Sequence, residues 1–319
     1  MTTCTRLPQT VQIHMSVPHS FVVAIFLLLF LTLSGGCSEP SEPNAAAEGE
    51  SIAATAPGTD VFVAPLDTTG GSLQMGKPKP VTVQPGYDNQ PAFLPDGSGL
   101  VWTAIRTGQA DVYRRADDST TQLTDTPESE FSPTPRPGDH MTLVRVEADG
   151  RQRLWRYRLN GTPIEPVLPD ADSVGYHAWL DSTRVALFRL GSPPTLQVTN
   201  VATGTDTIVA RRIGRSLQSM PGRAAVSFVQ MAPDSTTTIH RLEGPSLTTK
   251  QLVPTPSDGT GDFHAWTPSG HLLMATNDSL MVWNRGADSW RGVASLDTMD
   301  VTRLAVSPAG DRLAMVAAE

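Results

Sequence analysis

An all-β fold is what this sequence predicts, in the form of a six-bladed β-propeller whose last blade is completed by N-terminal strands. Three observations carry that expectation. A strand–turn–strand pattern recurs about every forty residues. Short alternating apolar runs are separated by turn residues, with 26 Gly and 27 Pro in 319 residues. Two strands near the start lack partners, and the last repeat stops two strands short.

The repeat is clearest at PAFLPDGSGLVW (residues 91–102), which reads as strand, turn, strand. Pro95 suits the first turn corner, Gly97 the corner that needs positive φ, and Asp96 can bond the turn backbone. Gly270 in AWTPSGHLLM and Gly310 in LAVSPAGDRLAMV repeat the motif. With weaker copies included, the markers Pro95, Pro137, Asp181, Pro221, Pro268 and Pro308 are spaced by 42, 44, 40, 47 and 40 residues. That period fits four short strands per unit. Third strands are expected at 111–115, 154–159, 196–201, 238–242 and 279–283, and fourth strands at 121–124, 164–168, 207–210, 250–253 and 292–295. Their β-branched and aromatic content favours strands over helices. No long apolar pattern of helical period follows the N-terminal segment.

At the ends, the segments 60–66 (DVFVAPL) and 80–84 (PVTVQ) have the character of a third and a fourth strand, whereas the final unit supplies only a first and a second. Joining the two halves into one blade removes exposed sheet edges. Leu304, Val306, Leu313 and Met315 are the expected inward-facing residues of the C-terminal half.

PAFLPDGSGLVW, ADVYR (110–114) and TQLTDTPES (121–129) together resemble the TolB-type, WD-like propeller repeat. The resemblance is strong over 87–129, fair at 261–283 and 304–316, and weak between. No Trp-Asp dipeptide occurs, so the eukaryotic WD class is less similar. The resemblance implies an envelope protein that engages other envelope proteins. Only a short tether precedes the first strand, so the additional N-terminal domain of that family is not expected.

The first segment reads as an address. Residues 21–33 (FVVAIFLLLFLTL) are apolar but short of the about 20 residues a spanning helix needs. Ser34-Gly35-Gly36 and Cys37 follow, which resembles a bacterial lipoprotein signal with Cys37 as the lipidated first residue. Leu33 stands four residues before the cysteine, where that pattern places it three before. The expected organisation is a signal at 1–36, a flexible tether rich in Ser, Pro, Ala and Glu at 37–59, and a propeller at 60–319. The other cysteine is Cys4, so cleavage before Cys37 leaves no intrachain disulfide.

Function is less legible. The net charge of −8 argues against nucleic acid. There is no nucleophile elbow, no zinc-protease motif and no phosphate-binding loop. In a propeller, the segment leading into each innermost strand lies beside the axis. This gives a candidate ligand surface at one mouth of the channel: Tyr87, Asp88, Asn89 and Gln90; Glu128 and Glu130; Tyr176 and His177; Arg215 and Ser216; Asp262 and His264; and Arg303. Both charge signs are present, which suits a small polar ligand or a peptide end. His177-Ala178-Trp179 and His264-Ala265-Trp266 occupy equivalent repeat positions; structural hydrogen bonding by buried imidazoles is expected there rather than a metal site. The expected protein is a membrane-anchored scaffold of the cell envelope, a monomer with no cofactor, bound to the membrane by its lipid and to an envelope protein or small polar ligand. The alternative is a calcium-dependent lactonase or esterase using Asp88, Asn89, Glu128, Glu130 and Asp262 in the channel.

Overall fold

The computed structural model describes residues 56–67, 72–244, 246–256, 263–296 and 299–319. The segment expected to be a signal, Cys37 and most of the tether lie outside the described residues. Among the described residues every regular element is a strand.

The chain opens with β1 (Thr59–Asp67), β2 (Gln74–Met75) and β3 (Lys79–Pro80). A four-strand unit follows: β4 (Tyr87–Phe93), β5 (Gly99–Arg106), β6 (Gln109–Ala116) and β7 (Ser119–Gln122). The second unit is β8 (Ser129–Arg136), β9 (His140–Val146), β10 (Gln152–Arg158) and β11 (Pro163–Pro166). The third is β12 (Val174–Trp179), β13 (Arg184–Arg189), β14 (Thr195–Asn200) and β15 (Asp206–Arg211). The fourth is β16 (Ile213–Ser219), β17 (Ala225–Met231), β18 (Thr237–Glu243) and β19 (Thr249–Pro254). The fifth is β20 (His264–Trp266), β21 (Leu272–Ala275), β22 (Ser279–Trp283) and β23 (Arg291–Ser295). The chain closes with β24 (Val301–Val306) and β25 (Arg312–Ala318). In each unit the strands pair antiparallel in chain order.

The turn chemistry explains why the first two strands of a unit form a hairpin. Gly97 has φ of 73° and donates its N–H to the Leu94 carbonyl at 2.9 Å, while Asp96 Oδ1 accepts from Ser98 N at 2.9 Å. Gly310 repeats this, with φ of 75° and a 2.9 Å bond to the Ser307 carbonyl. A side chain at either φ would be strained.

The terminal strands join. β1 pairs antiparallel with β25 over seven residues, from Thr59↔Ala318 to Pro65↔Arg312, and carries β3 on its other side. β1 is of the third-strand type at the level of single hydrogen bonds. Val61 N donates to Thr82 Oγ1 at 2.8 Å, and that hydroxyl donates to Asp60 Oδ1 at 2.7 Å. In the first full unit Val112 N donates to Thr124 Oγ1 at 2.8 Å, and Thr124 donates to Asp111 Oδ1 at 3.4 Å. The same Asp-Val and Thr pair is thus used twice. It also trims the fourth strand. Val81 N and Thr82 N converge on the Val61 carbonyl at 2.7 and 3.3 Å, as Leu123 N and Thr124 N do on the Val112 carbonyl. The ladder ends there, so β3 stops at Pro80 instead of running over 80–84, and β7 spans Ser119–Gln122 instead of 121–124.

Among the described residues most buried apolar side chains form six clusters, each shared between two units. Leu94, Val101, Met141 and Leu143 join the first and second units; Val144, Leu154, Val185 and Leu187 the second and third. Leu196, Val198, Phe228 and Leu242 join the third and fourth, and Val229, Ile239, Leu272 and Met274 the fourth and fifth. Leu273, Leu280, Leu313 and Met315 join the fifth to the terminal strands, which Val61, Trp102, Ala314 and Val316 join to the first. Leu304 is buried as expected, whereas Val306 is half-buried. The alternation that puts one strand face on each neighbour is what makes two-sided burial possible.

Candidate functional site

The first strands β4, β8, β12, β16, β20 and β24 each have an edge that no strand continues, apart from one β1–β4 residue pair. Successive first strands also touch: β4 with β8, β12 with β16, β16 with β20, β20 with β24, and β24 with β4. Together they border a cavity of about 440 Å³. Pro91, Pro133 and Pro135 sit on these strands, where a missing N–H costs no ladder bond. The register shifts once within β4, β8, β12, β16 and β24 against their partners. Such bulges re-aim side chains, and in β4, β8 and β16 the residues within the shift include the cavity-lining Gln90, Ser132 and Arg215.

One end of the cavity is built on Arg303. Its guanidinium lies 3.7 Å from the Phe263 ring centroid and 5.1 Å from that of Tyr176, and Nη2 donates to the Tyr176 hydroxyl at 2.9 Å. Tyr176 meets Phe263 and Phe188 edge-on, with centroids 6.4 and 5.7 Å apart. Stacking fixes the plane of the cation without neutralising it. Arg215 on β16 is exposed and lines the same cavity, with no carboxylate partner among the described residues. Tyr87 lies within the fields of Arg303 and Arg215; burial outweighs both and pushes its phenol up to about 12, so it stays a neutral donor.

Three residues further along β12, about 10 Å at strand rise, Trp179 carries Arg136 over its face at 4.4 Å. Arg136 donates to the Asp181 carbonyl at 3.4 Å. Trp179 and Trp266 both line the cavity, whereas Trp102 and Trp283 are packed between sheets.

The two His-Ala-Trp motifs form the same clasp twice. His177 Nε2 shares a 2.8 Å hydrogen bond with Thr142 Oγ1, and Trp179 Nε1 donates to that oxygen at 3.1 Å. His264 Nε2 shares a 2.7 Å bond with Ser227 Oγ, and Trp266 Nε1 donates to it at 2.8 Å. In each case a hydroxyl on the second strand of one unit holds a His and a Trp on the first strand of the next. Burial, helped by the positive Arg136, pushes His177 down to about 3, so its imidazole is neutral.

Of the remaining sequence candidates, Gln90, His177 and Ser216 line the cavity. Gln90 Oε1 accepts from Ser132 N at 2.6 Å, tying β4 to β8, and Ser216 Oγ accepts from His264 N at 3.2 Å. Asn89 Oδ1 accepts from Gln90 N at 2.8 Å. The carboxylates are engaged elsewhere. Buried Asp88 accepts from Trp102 Nε1 at 2.8 Å and forms a 2.7 Å ion pair with Arg106. Glu128 pairs with Arg145. Glu130 is buried against Tyr157, whose hydroxyl donates to it at 3.0 Å, and against Thr126. Asp262 lies outside the described residues. The described lining of the cavity therefore holds three arginines, Arg136, Arg215 and Arg303, and no carboxylate. Sequence reasoning missed Arg136 and the depth of the channel; Phe263 lies in the expected segment leading into β20.

The sequence matches no family model and no curated protein. Solved structures are similar in fold. A protein described as TolB from Agrobacterium tumefaciens is 14% identical with a TM-score of 0.62, covering 83% of this chain and 99% of its own. A gluconolactonase from Xanthomonas campestris is 11% identical with a TM-score of 0.58, covering 80% and 95%. TolB from Acinetobacter baumannii is 13% identical with a TM-score of 0.52, covering 84% and 67%. The chain has a TolB-like β-propeller fold, and this fold carries both TolB and an enzyme.

Proposed function

We propose that this chain is a lipid-anchored, six-bladed propeller of the bacterial cell envelope that serves as a binding scaffold, with the central channel as its ligand site. Six apolar clusters and the β1–β25 pairing support a ring of six blades completed by both termini. The apolar run before Cys37 supports the anchor, because a multiply acylated cysteine holds a protein to a bilayer without a spanning helix. The single observation behind the binding role is the cavity of about 440 Å³, bordered by all six first strands and carrying at one end an aromatic-framed cation with no carboxylate partner among the described residues. A mostly preformed cavity with a few converging polar groups is the usual form of a small-molecule site.

The test has two arms. Fatty-acid labelling in cells should mark the wild type and miss Cys37→Ala; equal labelling overturns the anchor. Small molecules co-purifying with the protein are then compared, by mass spectrometry, between wild type and the channel-filling Ala305→Trp. A compound held by the wild type and lost from the variant supports the site, whereas identical profiles count against it.

A further inference from the structure

The charge of the channel is opposite to that of the chain. The sequence carries 32 acidic against 24 basic residues, yet the described cavity lining presents Arg136, Arg215 and Arg303 with no Asp or Glu. None of the three is within ion-pairing distance of a carboxylate among the described residues; Asp181, whose charge reaches Arg136, is ion-paired with Arg184, and Asp88 and Glu128 are taken up by Arg106 and Arg145. Stacking on Phe263, Tyr176 and Trp179 holds Arg303 and Arg136 in place with no ion-paired carboxylate among the described residues. The arrangement is therefore preorganised for negative charge, and low-dielectric walls strengthen each contact.

Resting on the channel as the ligand site, we propose that its ligand is a small organic polyanion. One carboxylate or phosphate group sits between Arg215 and Arg303, which line the same cavity. A second anionic group reaches Arg136 of β8, which stacks on Trp179, three residues or about 10 Å of strand rise along β12 from Tyr176. The planar guanidinium of Arg303, already fixed by Tyr176, suits the two oxygens of a carboxylate.

Calorimetric titration of citrate into the full-length protein at low ionic strength tests this, beside the neutral sugar raffinose and the cation spermidine. Citrate should bind and the other two should not. Affinity should fall at least about tenfold in Arg215→Ala/Arg303→Ala, recover partly in Arg215→Lys/Arg303→Lys, and be lost in Ala305→Trp, with melting curves confirming that each variant folds. No citrate binding by the wild type, or equal binding by the double-alanine variant, overturns the polyanion assignment. Raffinose binding that Ala305→Trp abolishes would sink the anion while keeping the channel as the site. Citrate binding that needs the arginines but survives Ala305→Trp would sink the channel reading itself.

Discussion

Replacing Glu130 with glutamine should stabilise the protein at alkaline pH and leave it nearly unchanged in acid. Glu130 is fully buried at the junction of the first two units, and burial is the largest influence on its carboxyl. Bonds from Thr126 and Tyr157 offset burial only in part, Asp111 adds a like charge, and the carboxyl rises from 4.5 to about 7. One of its oxygens has no partner among the described residues. The folded protein therefore keeps the proton after the unfolded chain has released it. Stability is full below about pH 4.5, falls as pH rises towards about 7, and stays reduced above that. At about 1.36 kcal/mol per pH unit the loss is about 3 kcal/mol. Glutamine keeps an acceptor for Tyr157 and Thr126 and cannot ionise. Urea unfolding of both proteins at pH 4.5 and pH 8 measures the difference directly. Wild type and Glu130→Gln should agree within about 1 kcal/mol in acid, with the variant ahead by about 2 to 3 kcal/mol at pH 8. A gap that is the same at both pH values, or that favours the wild type at pH 8, refutes the reasoning.

Two other perturbations follow from the packing. Deleting residues 302–319 removes most of β24 and all of β25, including fully buried Leu313, Met315 and Val316, each worth about 1.5–3 kcal/mol of burial; gel filtration and melting should report aggregation or a much lower midpoint, and a soluble product with an unchanged midpoint counts against ring closure. Thr142→Val leaves the Trp179 indole N–H and His177 Nε2 without their shared oxygen and should cost about 2 kcal/mol or more in chemical denaturation, with Ser227→Ala behaving alike at the other clasp.

The parts of the fold written in local chemistry were legible in the sequence. The Pro-Asp-Gly turn at 95–97 and its copy at 308–310 located the hairpins, because backbone conformation there depends on the residues themselves. DVF at 60–62 and DVY at 111–113 are alike because both use the hydroxyl of a later Thr, Thr82 or Thr124, as a ladder surrogate, so β1 could be read as a third strand far from its β25 partner. The extents of β3 and β7 were not legible, since the hydroxyl that marks the strand also ends its ladder. β2 was missed altogether: it is a two-residue pair with Leu66 and Asp67 that carries no alternation.

For the site, position was more legible than direction. The segments leading into the first strands were identified, but a bulge within most of those strands decides which side chains face the cavity, and alternation alone cannot locate a bulge. Gln90, Tyr176, Arg215 and Arg303 reach the cavity, while Asp88 and Glu130 turn into the sheets to meet Arg106 and Tyr157. The mixed-sign mouth expected from the sequence is thus, among the described residues, a basic one. Arg136 is at the far end of β8, outside the segment that leads into it, and a first strand faces the channel along its whole free edge.

The central claim, that the channel is where this propeller binds its ligand, is tested most directly by photo-crosslinking in living cells. Benzoylphenylalanine at the channel positions Gln218 and Ala305 is compared with the same residue at Ile164 and Ile208 on the outer strands, both exposed. Intact-mass measurement should find a discrete small-molecule adduct at the channel positions and none at the outer ones. Adducts at Ile164 or Ile208 with unmodified protein at Gln218 and Ala305 would contradict the account.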